Sequence, residues 1–301
     1  CQVCMAVGCR APPHRHANLA GFAKLSEDAF RQWPKESYVQ DQIRSSTISL
    51  TVTVTKMAAP DTPSMLPRPD GQSLAYHHTA GFSPGVLFCP GFMSDMEGTK
   101  ALALEKAMTA LHRGYTRFDY MGHGLSTGSF IDGTISRWTD DALAILDECT
   151  AGPQIIVGSS MGGWIGLRMA LLRPERIAGF VGIAAAPDFT TRMWEDMPPE
   201  GKADIQNKGY WEQPSEYSEE PYIITRKLLD DGPRNFMLNG PIDVNCPVHL
   251  MQGMQDDSVP WKTALDIQAA LISEDVTVSL IKNGDHRLST SDNITSLILA
   301  T

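Results

Sequence analysis

The sequence has no apolar run long enough to cross a membrane and has few basic residues. A membrane-spanning helix needs about 20 consecutive apolar residues, and every apolar stretch here is interrupted sooner by Gly, Pro or a charge. The 25 Lys and Arg stand against 35 Asp and Glu, a formal net charge of −10. Nucleic-acid binding needs a basic surface along the phosphates. We therefore expect a soluble protein without stable membrane insertion, whose partners are small molecules or acylated proteins.

Cysteine is too sparse and too scattered for a disulfide framework. Cys89, Cys149 and Cys246 lie in or beside apolar segments, which is typical of buried free thiols, and the other three fall within the first nine residues at spacings that match no zinc site. The chain also lacks a Walker loop, because its Gly-rich turns do not carry the Lys-Ser/Thr pair that holds phosphate and magnesium. We expect neither a metal nor a cofactor.

From residue 70 onward, short apolar runs alternate with longer helical patterns. This alternation predicts an α/β fold with a doubly wound, mostly parallel sheet, and the central runs are apolar throughout, as in strands covered on both faces. Residues 1–69 show few such patterns, and we interpret them as a poorly ordered extension of the domain at 70–301. The predicted strands are Ser73–His77, Gly85–Cys89, Tyr115–Asp119, Gln154–Val157, Ile177–Ile183, Val248–Gln252 and Thr277–Lys282. The predicted helices are Gly98–Arg113, Ile135–Thr150, Gly162–Arg173, Lys262–Ile272 and Ser291–Ala300.

Residues 187–246 interrupt the alternation. Prolines recur through this segment and separate short amphipathic helical pieces, so we expect a helical lid inserted after the sixth strand. Its aromatic side chains either line an acyl pocket or pack the lid against the body. Trp194, Trp211 and Tyr217 are the candidate substrate contacts.

A G-x-S-x-G pentapeptide lies between a predicted strand and a predicted helix. In Gly158-Ser159-Ser160-Met161-Gly162, the central serine would occupy a strained turn with its hydroxyl exposed at a helix N-terminus. The pentapeptide alone also fits an ordinary Gly-rich turn. Ser160 is the candidate nucleophile because an acid and a histidine follow it in the required order.

The order serine, acid, histidine predicts a catalytic triad. His286 follows the last predicted strand and is the candidate general base. Its imidazole needs a carboxylate on Nδ1. Asp256, after the strand at 248–252, is the predicted acid, with Asp257 beside it and Asp188 after an earlier strand as the alternatives.

Attack on an ester carbonyl creates an oxyanion, which two backbone N–H groups are expected to receive. One belongs to Met161, the residue after the nucleophile. The other belongs to Phe92, where Gly91 allows a tight turn after a predicted strand. Asp119 and His123, on a neighbouring Gly-rich turn, are expected to brace loops rather than to react.

These motifs together resemble the α/β-hydrolase family over about residues 70–301. Several segments resemble one subfamily in particular, the mitochondrial palmitoyl-protein thioesterases, also described as acyl-glucuronide esterases, with their bacterial relatives: 90–101, 118–120, 158–164, 214–217 and 259–261. The resemblance implies a serine hydrolase that cleaves thioesters or esters of apolar acyl groups through an acyl-enzyme. Its substrate would be a small ester or thioester, or an S-acylated protein.

Other functions on the same fold stay open, namely a general carboxylesterase, an acyl-glucuronide esterase, a C–C bond hydrolase and a ligand-binding protein without turnover. Acidic residues in the lid would repel a glucuronide unless Arg192, Arg226 or Lys227 points inward, which favours plain esters and thioesters. Residues 1–69 are too acidic for a transit peptide. We therefore expect a cytoplasmic enzyme of bacterial type, with a mitochondrial protein as the alternative.

Overall fold

The chain folds around an eight-stranded, mostly parallel sheet. The computed structural model describes residues 62–213 and 221–301. The strands are β1 (Ser64–Pro67), β2 (Ser73–Thr79), β3 (Phe82–Cys89), β4 (Arg113–Phe118), β5 (Gln154–Ser159), β6 (Ile177–Ile183), β7 (Tyr210–Gln213), β8 (Tyr222–Thr225), β9 (Val248–Gly253) and β10 (Val276–Ile281). The sheet order is β1-β2-β4-β3-β5-β6-β9-β10, and β7 pairs with β8 in a separate hairpin. Within the large sheet β2 runs antiparallel to β1 and β4, and the other pairs are parallel.

Helices follow the strands as the alternation predicted. They are α1 (Thr99–Ala110), α2 (Ile135–Cys149), α3 (Met161–Leu172), α4 (Phe189–Glu195), α5 (Pro199–Lys208), α6 (Arg226–Asp231), α7 (Lys262–Ala270) and α8 (Ser291–Ala300). Three of them begin after a threonine whose hydroxyl accepts an N–H from the first turn: Thr134, Thr225 and Thr290. Such caps satisfy N–H groups that the helix itself leaves unpaired. Among the described residues, no helix has the length and apolar character required to span a bilayer.

The core consists of two layers, one on each face of the sheet. Because neighbouring residues of a strand point to opposite faces, Val86 and Phe88 of β3 pack in one layer with Leu104 of α1. Leu87 and Cys89 pack in the other layer with residues of α2 and α3. This two-sided burial explains why the central runs are apolar throughout, and it confirms the predicted doubly wound sheet.

The structure contains strands that the sequence did not predict. β1 pairs with β2, with Met65 opposite Ala75, so among the described residues the sheet includes Ser64–Pro67. The predicted boundary at residue 70 therefore falls between two paired strands. The predicted extension up to residue 61 lies outside the described residues. Between β6 and β9, where a lid was expected, the chain forms α4, α5, the β7–β8 hairpin and α6.

The parallel strands end at one edge of the sheet, and the candidate residues follow these ends. Ser160 follows β5, Asp256 follows β9 and His286 follows β10, while Phe92 lies on the loop after β3. β3 has β4 on one side and β5 on the other. Successive strands are thus added on opposite sides of β3. Open α/β sheets bind their ligands at such a point.

Candidate active site

Ser160 joins β5 to α3 in a strained backbone conformation, with φ 54° and ψ −118°. The turn is closely packed on both sides. A Cβ atom on Gly158 would lie 2.3 Å from the carbonyl oxygen of Gly162, and one on Gly162 would lie 2.0 Å from that of Cys89. The N–H of Ser160 donates to the carbonyl of Ile183 at 2.9 Å. Only glycine fits at these two positions, so the serine is held at a fixed point above the sheet.

The side chains of Ser160, His286 and Asp256 form a hydrogen-bonded series. The Ser160 Oγ lies 3.2 Å from His286 Nε2, and His286 Nδ1 lies 2.9 Å from Asp256 Oδ2. When Nδ1 donates to the carboxylate, Nε2 carries the lone pair that can accept the serine proton. The histidine side chain is 22% exposed and that of Asp256 is 0% exposed. The series therefore runs from solvent to a buried charge.

Asp256 is held in place by donors on both carboxylate oxygens. Its Oδ1 accepts the N–H groups of Ser258 and Val259 at 2.9 and 2.7 Å, and its Oδ2 also accepts Gln252 Nε2 at 2.8 Å. Burial alone would raise the pKa of Asp256, but the hydrogen bond and charge of His286, together with the two N–H groups, hold it below the ordinary value. Asp256 is thus an ionised carboxylate at neutral pH.

The two alternative acids lie elsewhere. Asp257 is exposed and accepts the hydroxyl of Ser258 at 3.1 Å. Asp188, which is held at φ 60° before α4, accepts the N–H groups of Met237 and Leu238 at 2.8 and 2.9 Å. Burial raises its pKa. Of the three carboxylates considered from the sequence, the structure brings Asp256 to His286.

The loop after β3 lies directly against the serine turn. A Cβ atom on Gly91 would lie 3.4 Å from both the Ser160 Cβ and the Ser159 carbonyl oxygen. Phe92 is the next residue along this loop, and Met161 is the first residue of α3. The two peptide N–H groups predicted to receive an oxyanion thus belong to the two chain segments that meet at Ser160.

Asp119 braces the loops beside the site. Its carboxylate accepts the N–H of Met96 at 2.7 Å and that of Leu125 at 2.8 Å. Burial raises its pKa to about 6, against the two N–H donors that act to lower it. These bonds join the loop after β3 to the loop after β4, so the bracing role expected for Asp119 is confirmed.

A cluster of aromatic side chains surrounds Phe92 and was not predicted from the sequence. The ring of Phe92 lies 5.1 Å from Phe130, 6.0 Å from Trp138, 5.9 Å from Phe189 and 6.3 Å from Tyr222, measured between centroids. Phe189 and Tyr222 belong to the insertion, and the other three belong to the body. We call these five residues the aromatic cluster. No sequence pattern marks it, because its members come from five separate loops and elements.

The three substrate contacts predicted from the sequence lie in different surroundings. Trp211 packs with the small core of the insertion, formed by Met197, Ile205 and Ile224. Trp194 is 37% exposed, with the ammonium of Lys202 5.5 Å from its ring. Tyr217 lies outside the described residues. Contact of these side chains with substrate remains a prediction.

Three basic residues of the insertion are paired with acids. Arg192 binds Asp196 with Nε–Oδ2 3.0 Å, and Arg226 binds Asp230 at 3.4 Å. A third such residue, Lys227, binds Asp132 of the body. All three therefore already face a carboxylate, which lowers their capacity to attract an anionic substrate.

Over residues 62–213 and 221–301, no group of three or more His, Cys, Asp or Glu side chains is arranged to hold a metal ion. Cys89, Cys149 and Cys246 are free thiols. Burial raises the pKa of all three, to about 12 for Cys89.

Comparison with known proteins agrees with this geometry. Residues 86–293 match the model of the alpha/beta hydrolase family. The mitochondrial palmitoyl-protein thioesterase ABHD10 of Bos taurus is 43% identical over 236 residues, which cover 78% of this chain and 77% of the relative. The human protein of the same name is 42% identical over the same shares.

Solved structures give the same result. Alpha/beta hydrolase domain-containing protein 10 from mouse matches with a TM-score of 0.74 and 40% identity, covering 79% of this chain and 96% of the mouse chain. A putative hydrolase from Agrobacterium vitis S4 matches with a TM-score of 0.76 and 42% identity, covering 80% of this chain and 98% of the bacterial one. The resemblance inferred from the motifs is thereby confirmed: the chain belongs to the alpha/beta hydrolase family and is a hydrolase.

Proposed function

We propose that this protein hydrolyses thioesters and esters of apolar acyl groups through an acyl-enzyme formed on Ser160. The observation that carries the proposal is the hydrogen-bonded series of Ser160, His286 and Asp256. The identity of about 40% to palmitoyl-protein thioesterases over most of the chain supports the substrate class.

The reaction has two steps. Ser160 Oγ attacks the acyl carbonyl carbon while its proton passes to Nε2 of His286. The C–S or C–O bond then breaks, His286 returns the proton to the leaving thiolate or alkoxide, and the acyl group stays on Ser160. In the second step His286 takes a proton from water as the water oxygen attacks the acyl-enzyme. The bond between the acyl carbon and Ser160 Oγ then breaks, His286 returns the proton to Oγ, and the carboxylic acid is released. Asp256 keeps the imidazole in the required tautomer and stabilises its cation.

The oxyanion of each step would lie between the N–H groups of Phe92 and Met161. Gly91 lies in contact with Ser160, and Met161 begins the helix that starts at the serine. The positive end of the helix dipole favours a negative charge at this point. One such donor lowers the barrier by about 3 kcal/mol.

An apolar acyl group is supported by the aromatic cluster, which begins at Phe92, the residue after Gly91. A long apolar chain that left Ser160 along these rings would be removed from water, at about 0.8 kcal/mol per buried methylene. The paired state of Arg192, Arg226 and Lys227 favours uncharged acyl groups over glucuronides. The leaving group is a small thiol or alcohol, or the cysteine of an S-acylated protein.

The decisive experiment is kcat/KM for matched oxoesters and thioesters of increasing acyl length, with Ser160→Ala as the blank. We expect the highest values for long-chain thioesters. Highest values for short oxoesters would indicate a general carboxylesterase. Turnover equal to the Ser160→Ala blank, with no labelling of Ser160 by a fluorophosphonate, would indicate a ligand-binding protein and overturn the proposal.

We propose a mitochondrial location in place of the cytoplasmic one expected from the sequence. The mammalian relatives are named as mitochondrial proteins. Fractionation of the source cells, followed by immunoblotting, tests it. Enrichment with a mitochondrial marker is expected, and enrichment with a cytosolic marker would restore the cytoplasmic expectation.

A further inference from the structure

His123 makes two hydrogen bonds that fix its tautomer. The ring lies on the loop after β4 and is 4% exposed. Its Nδ1 lies 3.3 Å from the carbonyl oxygen of Met121, and its Nε2 lies 3.3 Å from the backbone N–H of Met93. A carbonyl can only accept and an N–H can only donate. The imidazole is therefore neutral, with its proton on Nδ1 and its lone pair on Nε2.

The surroundings of the ring maintain this neutral state. Rings of Tyr120, Phe130 and Trp138 lie 5.6, 5.0 and 5.1 Å from it. Burial lowers the pKa of His123 to about 4, although its hydrogen bond to Met121 acts in the opposite direction. The charged form is thus disfavoured at neutral pH. The Met121 carbonyl oxygen also accepts a hydrogen bond from Trp138 Nε1 at 3.1 Å. This second bond fixes the carbonyl group that accepts from the imidazole.

The segment that His123 holds is conformationally strained. Met93 has φ 52°, in the left-handed region that is strained for a residue other than glycine. Its N–H belongs to the peptide that follows Phe92, and Phe92 follows the glycine in contact with Ser160. A strained loop keeps such a conformation only when its surroundings fix it. The hydrogen bond that the Met93 N–H donates to His123 is one of the contacts that fix the loop. Another is the bond that the Met96 N–H donates to Asp119.

We propose that His123 is a positioning residue for the oxyanion site: by accepting the Met93 N–H, its neutral imidazole sets the orientation of the Phe92 peptide beside Ser160. The inference rests on the proposed function. His123 touches neither the substrate nor the reacting atoms, so its removal displaces an oxyanion donor rather than deleting the triad. A displaced donor affects the transition state more than the bound substrate, and the loss should therefore appear in kcat.

The test compares His123→Phe, which keeps the ring and loses both hydrogen bonds, with His123→Gln, whose amide oxygen can accept the Met93 N–H. We expect His123→Phe to lower kcat by about tenfold to a hundredfold with KM changed less than threefold, because loss of a whole donor costs about 10²–10³. His123→Gln should recover most of kcat. Inhibition by an alkyl trifluoromethyl ketone, which forms an anionic adduct on serine, should weaken in proportion to kcat across the variants.

His249→Phe is the matched control, since His249 is a half-buried histidine on β9 whose Nε2 lies 2.9 Å from Ser279 Oγ. It should leave kcat unchanged. A wild-type kcat in His123→Phe would overturn the inference. So would a well-folded His123→Gln that loses as much kcat and as much ketone inhibition as His123→Phe. Failure of the proposed function is distinguishable, because the wild-type protein would then show no Ser160-dependent turnover or ketone binding at all.

Discussion

The serine turn and the insertion between β6 and β9 are held in opposite ways. Around Ser160 the backbone leaves no room for a Cβ on Gly158 or Gly162, and the N–H of Ser160 is bonded to a neighbouring strand. The insertion has only a small core of its own around Ile205 and Ile224, and it carries exposed aromatic side chains such as Trp194. We therefore expect the body to fix the chemistry and the insertion to decide which acyl groups reach Ser160.

The largest effect is expected from the reacting residues. Ser160→Ala and His286→Ala should each lower kcat by about 10⁶, and the double variant should lose little more, because the two side chains act as one unit. Losses that multiply in the double variant would contradict a shared role. Single-turnover kinetics on a chromogenic thioester measures all three variants, and their circular dichroism spectra should match that of the wild-type protein.

The adjacent aspartates provide a closely matched pair. Asp256→Asn should lower kcat by about 10⁴, because the amide no longer holds His286 in the tautomer that accepts the serine proton. Asp257→Asn should stay within threefold of wild type, since its carboxylate is exposed and lies against the Ser258 hydroxyl. Steady-state kinetics at neutral pH compares them. A larger loss of kcat in Asp257→Asn than in Asp256→Asn would identify Asp257 as the catalytic acid.

Alanine substitutions at two glycines compare the packing of the serine turn with that of the insertion. Gly162→Ala places a methyl group 2.0 Å from the Cys89 carbonyl oxygen, whereas Gly240→Ala, in the insertion, meets open space. We expect Gly162→Ala to reduce kcat/KM by at least about a hundredfold and the free energy of unfolding by about 3 kcal/mol. Gly240→Ala should change that free energy by no more than about 0.5 kcal/mol. Urea denaturation measures both, and equal stabilities would contradict the close packing of the turn.

The smallest effect is expected within the aromatic cluster. Phe189→Ala and Tyr222→Ala should lower kcat/KM for long-chain thioesters by about tenfold through lost apolar contact, while short-chain values stay within threefold. Tyr210→Ala is the control, because Tyr210 is 40% exposed on the β7–β8 hairpin. Uniform loss at all chain lengths would assign the cluster to folding rather than to selectivity.

The body was largely predictable from the sequence, for a physical reason. Parallel strands buried on both faces give continuous apolar runs, and the residues after their carboxyl ends meet at one edge. Ser160, Asp256 and His286 could therefore be selected from chain order before their distances were known. The structure adds the reason for Asp256 over Asp257, namely that its two carboxylate oxygens receive N–H donors and His286.

The insertion was predictable only as a segment. Its prolines marked an interruption, but the β7–β8 hairpin has two strands of four residues each, too short to show an alternation. β1, with four residues at the sheet edge, was missed for the same reason. Phe92 was selected for its N–H, whereas its ring joins the body to the insertion through Phe189 and Tyr222. Contacts between distant segments leave no periodic signal.

The proposed mechanism requires an acyl-enzyme on Ser160, and peptide mass spectrometry detects that intermediate directly. The wild-type protein, Ser160→Ala and Asp257→Asn are mixed briefly with a palmitoyl thioester, quenched in acid and digested. We expect one palmitoyl adduct on the peptide that contains Ser160, in the wild-type protein and in Asp257→Asn, and none in Ser160→Ala. Thioester turnover with no adduct on that peptide, or an equal adduct in Ser160→Ala, would contradict it.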